Sequence, residues 1–135
     1  MIVMVMDGQG GGIGSAIIKG VREGAGSEID IWALGTNSIA TSRMMKAGAN
    51  RGATGENAIA VTCHKADIII GPLAIIMSDS MMGEVTAKMS EAVCSCKAKK
   101  ILIPLTQENV MIMGVSNEPL PHLVDKAIKK IKEML

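Results

Sequence analysis

Apolar and polar positions along this chain switch between two periodicities, and the switching sketches an architecture. Residues 2–6, Ile2-Val3-Met4-Val5-Met6, form an unbroken apolar run that ends in glycines, the pattern of a strand buried on both faces. Ser15–Glu23 then reads as a helix with Ala16, Ile17, Gly20 and Val21 on its inner side, stopped by Gly24 and Gly26. Ile29–Leu34 is a second strand, closed by Gly35-Thr36-Asn37, and Asp30 within it marks it as less central than the first. Ser38–Ala47 is a second helix ended by Gly48, Asn50–Gly55 has loop chemistry, and Glu56–Lys65 is a third helix with Ile59 and Cys63 on one face. Asp67–Ile70 is a third strand, ended by Gly71-Pro72.

The second half repeats the theme. Thr86–Lys97 is a fourth helix with Met89, Val93 and Cys96 in phase, and Ile101–Ile103 is a fourth strand closed by Pro104. Val110–Val115 reads as a fifth strand, and its short connection to the fourth suits an antiparallel edge. Pro119–Leu135 is the last helix, with Leu120, Leu123, Val124, Ala127, Ile128, Ile131 and Leu135 as an inward stripe and its lysines as a solvated face. Strands alternating with helices predict one three-layer, Rossmann-like (doubly wound) α/β domain over residues 1–135, with a mostly parallel sheet of about five strands. The first and third strands are the most apolar and should be central neighbours. The second is then an edge, which favours the order 2-1-3-4-5 over 3-2-1-4-5, with the last strand antiparallel.

Composition narrows the functional classes. At 135 residues, 48% hydrophobic and 20% charged, the chain can bury one core without metal or disulfide staples. A net charge of +1 gives no basic footprint for nucleic acid, and with no Phe or Tyr and a single Trp there is no stacking platform. The twelve methionines are expected to fill core gaps that rings would otherwise occupy. Three cysteines make no bridged framework, the apolar start meets Asp7-Gly8 without a basic leader, and the longest apolar stretch, Ile68–Met77, is broken by Gly71-Pro72. A soluble, cytoplasmic protein is expected.

The strongest chemical signal is Asp7-Gly8-Gln9-Gly10-Gly11-Gly12-Ile13-Gly14, in which five of the seven residues from 8 to 14 are glycine. It lies directly after a buried strand and directly before a helix. There, backbone N–H groups can approach an anion closely at the positive end of the helix, so a phosphate-bearing ligand, a nucleotide or dinucleotide among them, is the expected partner. The alternative is a loop whose glycines merely permit close helix–sheet packing. No Lys-Ser/Thr pair follows the glycines, which excludes a Walker-type loop.

Ligands of such sheets sit beyond the carboxyl ends of the strands, which adds Gly35-Thr36-Asn37, Gly71-Pro72 and Thr106-Gln107 to the candidates, with Ser78-Asp79-Ser80 in a nearby loop. Asp7 either acts as an acid, base or metal ligand or accepts N–H bonds from the turn that follows, and the second role is favoured. Thr54 is expected to cap the third helix. Cys63-His64 and Cys94-x-Cys96 lie on different helices, and no metal site is expected from them.

The Gly8-x-x-x-Gly12-Ile13-Gly14 spacing resembles the loop of short-chain dehydrogenases, but the chain has no tyrosine for that family's tyrosine–lysine pair. It also has Gly35-Thr36-Asn37 where an acidic residue would hold an NAD ribose. The residues from Asp7 to Gly14, with Ala33–Asn37, Ala47–Asn50, Ala53–Ala58, Ala66–Pro72 and Lys99–Leu105, resemble an uncharacterised bacterial family of short proteins known only as a domain of unknown function. That resemblance implies a Rossmann-like single domain and no activity.

Three functional readings follow. The first is a small nucleotide- or phosphate-ligand-binding protein using the 8–14 loop with Thr36 and Asn37. The second is an enzyme on such a ligand, with Asp7, Glu56 or Asp79 as acid, base or metal ligand. The third is a homo-oligomeric module, a dimer through a helix face or the edge strand, with a vestigial cleft.

Overall fold

A computed structural model describes residues 1–105 and 108–135. Five strands, β1 (Ile2–Asp7), β2 (Asp30–Gly35), β3 (Arg51–Thr54), β4 (Ile68–Pro72) and β5 (Lys99–Ile103), alternate with helices α1 (Gly12–Ala25), α2 (Ser38–Lys46), α3 (Glu56–Cys63) and α4 (Ala87–Ser95), and α5 (Leu120–Glu133) completes the chain. A short 3-10 turn, Leu73–Ile76, leaves β4. The strands form one parallel sheet in the order β3-β2-β1-β4-β5, a Rossmann-like arrangement.

The apolar run of β1 is buried on both faces because its side chains alternate between two cores. Val3 and Val5 pack with Ile68 and Ile70 of β4 against Ile17 and Val21 of α1, Met44 of α2 and Val124, Ile128 and Ile131 of α5. Met4 and Met6 face the other way, with Ile69, against Ile59 and Cys63 of α3 and Met89 and Val93 of α4. Methionine does fill these layers: Met4, Met6 and Met44 are fully buried. The expected contact of the first strand with both neighbours is present, since β1 pairs with β2 along its whole length and with β4 from Val3 to Val5.

The order is where the sequence reading is corrected. Residues 51–54, expected as loop, form β3 on the outer side of β2, so β2, expected as an edge, is interior. The strands expected at 29–34, 2–6, 67–70 and 101–103 are neighbours in that expected sequence, as β2-β1-β4-β5, and the added strand makes the order 3-2-1-4-5 in place of 2-1-3-4-5. Arg51-Gly52-Ala53-Thr54 is largely exposed and has no apolar run, so hydrophobic patterning could not reveal it. The expected antiparallel fifth strand, Val110–Val115, pairs with nothing among the described residues. Its apolar side chains are exposed, and the edge is the parallel strand β5. Thr106 and Gln107 lie outside the described residues.

Helix α1 starts at Gly12, three residues before the expected Ser15, so Gly12 and Gly14 belong to its first turn and only residues 8–11 form the loop. Thr54 does not cap α3, whose N-cap is Gly55. Its hydroxyl meets that of Thr41 at 2.7 Å instead. Among the described residues no helix is long and apolar enough to cross a membrane.

Candidate functional site

After β1 the chain runs outward through β2 to β3 and returns as β4 on the other side, so the order reverses between β1 and β4. The carboxyl ends of those two strands diverge there, and the crevice is a ligand position in open sheets of this kind. A cavity of about 680 Å³ opens at that point, lined by Asp7, Gly8, Gln9, Gly10, Gly11, Gly12, Ile13 and Pro72. Its far wall is Ala74, Asp79, Met81, Met82, Leu105 and Glu108. The volume is in the range of small-molecule sites.

Asp7 organises the loop. It is 3% exposed. Its Oδ1 accepts the Gly8 N–H at 2.8 Å and its Oδ2 accepts the Gly14 N–H at 2.7 Å, so one carboxylate ties the start of the loop to the first turn of α1. Burial pushes its pKa up, and N–H bonds from Gly14, Gly8 and, more weakly, Ile13 pull against that rise, while the nearby Glu84 charge adds to it. The favoured turn-binding role is therefore the one the geometry displays.

The loop's other amides divide sharply. Gln9 N–H donates to Glu84 Oε1 at 2.8 Å, and Gly11 N–H to the Gly8 carbonyl at 2.9 Å. Gly10 and Gly12 N–H meet no protein acceptor among the described residues. α1 has no side-chain cap and no acidic residue in its first turn, so the partial positive charge of its N-terminus is uncancelled beyond the Asp7 contact. Arg43 on α2 adds a full charge: its Nη1 donates to the Gly10 carbonyl at 3.1 Å. No carboxylate pairs with it among the described residues.

The glycines differ in the same way. A Cβ on Gly14 would stand 2.9 Å from Asp7 Cβ, and one on Gly8 would strike Thr36 Oγ1 and approach Met81 Sδ to 2.7 Å. Gly11 has φ +71°, and a Cβ there would meet the Ala40 backbone at 2.9 Å. At Gly10 and Gly12 the nearest atom to such a Cβ is Arg43 Nη1, at 3.6 and 3.8 Å, and neither has a positive φ. The fold therefore needs glycine at 8, 11 and 14 and does not need it at 10 and 12.

Several expected site residues do not line that cavity. Thr36 Oγ1 and Asn37 Nδ2 donate to Glu84 Oε1 at 2.7 and 2.8 Å, while Asn37 Oδ1 caps α2 through Ala40 N–H. Gly35 is packed under Thr41, and Gly71 lies against the Met6 carbonyl; both are structural close approaches. Ser78 faces Ser90 on α4, their hydroxyls 2.8 Å apart, and lines no part of the cavity. Glu56 sits in the first turn of α3, away from the cavity, whereas Asp79 is on its wall.

Sequence reasoning missed Glu84, Arg43 and Glu108. Glu84 follows Met81-Met82-Gly83 in a loop with no motif, and its role rests on contacts 47, 48 and 75 residues away. Its burial raises its pKa, but N–H and O–H bonds from Gln9, Thr36 and Asn37 outweigh this and hold it below the usual carboxylate value. Glu108 Oε1 accepts the Met81 N–H at 2.7 Å across the cavity's far wall. The cysteines form a separate buried feature. Burial, followed by the adjacent Cys96, pushes the Cys63 thiol up to about 12, which leaves it protonated and inert.

The family described as Domain of unknown function (DUF3842) matches residues 2–135, so the chain belongs to that family. Among curated proteins and solved structures, none matches the chain.

Proposed function

We propose that this member of the family binds a phosphate-bearing ligand at the glycine loop, with the phosphate on the Gly10 and Gly12 amides beside Arg43. One observation carries the reading. Gly10 and Gly12 are exposed and sterically unconstrained, and their N–H groups meet no protein acceptor among the described residues, so neither packing nor backbone conformation explains why they lack side chains. A methyl at either position would project toward the Arg43 guanidinium, into the space an anion would share with it. Bare amides, a helix N-terminus and a guanidinium are the donor set that phosphate oxygens take.

The cavity beside them supplies room for the rest of the ligand, with polar Asp79 and Glu108 and apolar Pro72, Ala74, Met81 and Leu105 on its walls. Asp7 is a support in this reading rather than a reacting group, because both of its oxygens already hold loop amides. Thr36 and Asn37 are not part of the ligand contact set, since both serve Glu84.

Thermal unfolding of the wild-type protein with millimolar AMP or ribose 5-phosphate tests the reading. Binding stabilises by RT ln(1 + [L]/Kd), so the midpoint should climb with ligand concentration. Gly12→Ala should unfold at or above the wild-type temperature without ligand and lose the ligand-dependent rise. A rise of full size in Gly12→Ala, or none in the wild type, refutes the proposal.

A further inference from the structure

We infer that the loop over residues 77–85, fastened by Glu84, closes the β2 half of the cleft and restricts the ligand to one compact phosphoryl-bearing unit on the β4 side. This rests on the phosphate site proposed above and names the size of ligand that site admits. In a dinucleotide complex of a doubly wound sheet the pyrophosphate lies on the glycine loop. One nucleoside then extends to each side of it, and the ribose on the β2 side hydrogen-bonds to groups at the end of β2.

Those groups are already taken. Glu84 Oε1 gathers the Gln9 N–H at 2.8 Å, the Thr36 hydroxyl at 2.7 Å and the Asn37 amide at 2.8 Å, and Asn37 Nδ2 also reaches the Gln9 carbonyl at 2.9 Å. Three donors on one carboxylate oxygen form a charge-assisted cluster, which an incoming uncharged ribose cannot replace with equal partners. Space is closed as well as chemistry: the side of Gly8 that faces β2 is filled by Thr36, Met81 Sδ and Glu84 Oε1.

The loop that delivers Glu84 is itself held at several points. Asp79 has φ +66°, and after Ser80 the residues Met81, Met82 and Gly83 have +56°, +56° and +90°, a left-handed run that a methionine adopts only where contacts enforce it. Enforcing contacts are present: Asp79 N–H to the Val85 carbonyl at 2.7 Å and Ser80 Oγ to the Ala74 carbonyl at 2.6 Å. Met81 N–H donates to Glu108 Oε1 at 2.7 Å. The same loop thus walls the open cavity with Asp79, Met81 and Met82 at one end and seals the opposite half with Glu84 at the other.

Calorimetric titration of the intact protein with AMP, ribose 5-phosphate and NAD provides the test. In the wild type at least one monophosphate should bind about tenfold or more tighter than NAD. Glu84→Ala should raise NAD affinity about tenfold and leave the monophosphate Kd within about twofold. Glu84→Gln, which keeps the side chain's shape and removes its charge, should change NAD affinity in the same direction by less, and circular dichroism on both variants verifies the fold. Wild-type NAD affinity equal to that of the monophosphates, or a loss of NAD affinity in Glu84→Ala, overturns the closure and leaves the phosphate site standing. Failure of all three probes to bind the wild type overturns the phosphate site, and the inference with it.

Discussion

The two sides of the glycine loop use the same kinds of group to opposite ends. Toward β2 the polar groups are drawn inward: Thr36, Asn37 and the Gln9 backbone amide converge on Glu84, and Gly8 is hemmed in by side chains. Toward β4 the wall falls away into a cavity of about 680 Å³, and the Gly10 and Gly12 amides meet no protein acceptor among the described residues. Internal satisfaction marks the first side as architecture. Unspent hydrogen-bonding capacity beside open space makes the second the side on which the proposed ligand would sit. A glycine-rich stretch is therefore two interleaved sets of residues, and the contrast between them can be broken or sharpened by substitution.

Gly11→Ala should have the largest effect. It places a side chain at φ +71° and against the Ala40 backbone, which does not yield, and should cost about 3 kcal/mol or more of unfolding free energy in urea titrations. A cost below about 1 kcal/mol would show that the loop is not packed as described.

Asp7→Asn comes next. The carboxylate accepts from both Gly8 and Gly14, and an amide can accept with only one end while its NH2 faces the other donor. A loss of about 1–3 kcal/mol is expected, read as a lowered urea midpoint. An unchanged midpoint would return Asp7 to the list of groups kept for chemistry.

Glu84→Gln should show a smaller effect with a pH signature. The folded-state pKa of Glu84 lies below its ordinary 4.5, so the charge contributes stability that is fully present above 4.5 and disappears as pH falls through the folded value. The gap between wild-type and Glu84→Gln midpoints should hold from neutral pH down to about 4.5 and then close. A gap that persists undiminished in acid would detach the clasp from the carboxylate's charge.

Gly10→Ala and Gly12→Ala mark the quiet end of the scale. With space for a methyl and no positive φ, Gly12→Ala at the start of α1 should be neutral or stabilise by up to about 1 kcal/mol, seen as an equal or higher melting temperature. If both variants proved as damaging as Gly11→Ala, the distinction between the two sets of glycines would collapse.

How much of this could be read from the sequence depended on range. β1, the glycine loop and the helix after it were legible, because a run buried on both faces, a breaker cluster and a 3.6-residue stripe are all local patterns. The contact of β1 with the strand at 68–72 was also legible, since matching apolarity implies shared burial. β3 was not, because a four-residue exposed strand such as Arg51–Thr54 owes its pairing to β2 rather than to its own composition. Val110–Val115 failed in the other direction. Its side chains suit a strand, but strand formation needs a neighbour's hydrogen bonds, and none is supplied among the described residues.

By itself the amino-acid order determined that an apolar strand would deliver a glycine turn to a helix, since backbone sterics and burial act over a few residues. Only the tertiary structure decided which of those glycines are occupied by packing and which stay bare, and that the carboxylate on the β2 side would be Glu84. Those outcomes depend on residues 28 to 75 positions away meeting the loop in space, and hydrogen bonds at that separation leave no periodic trace in the chain.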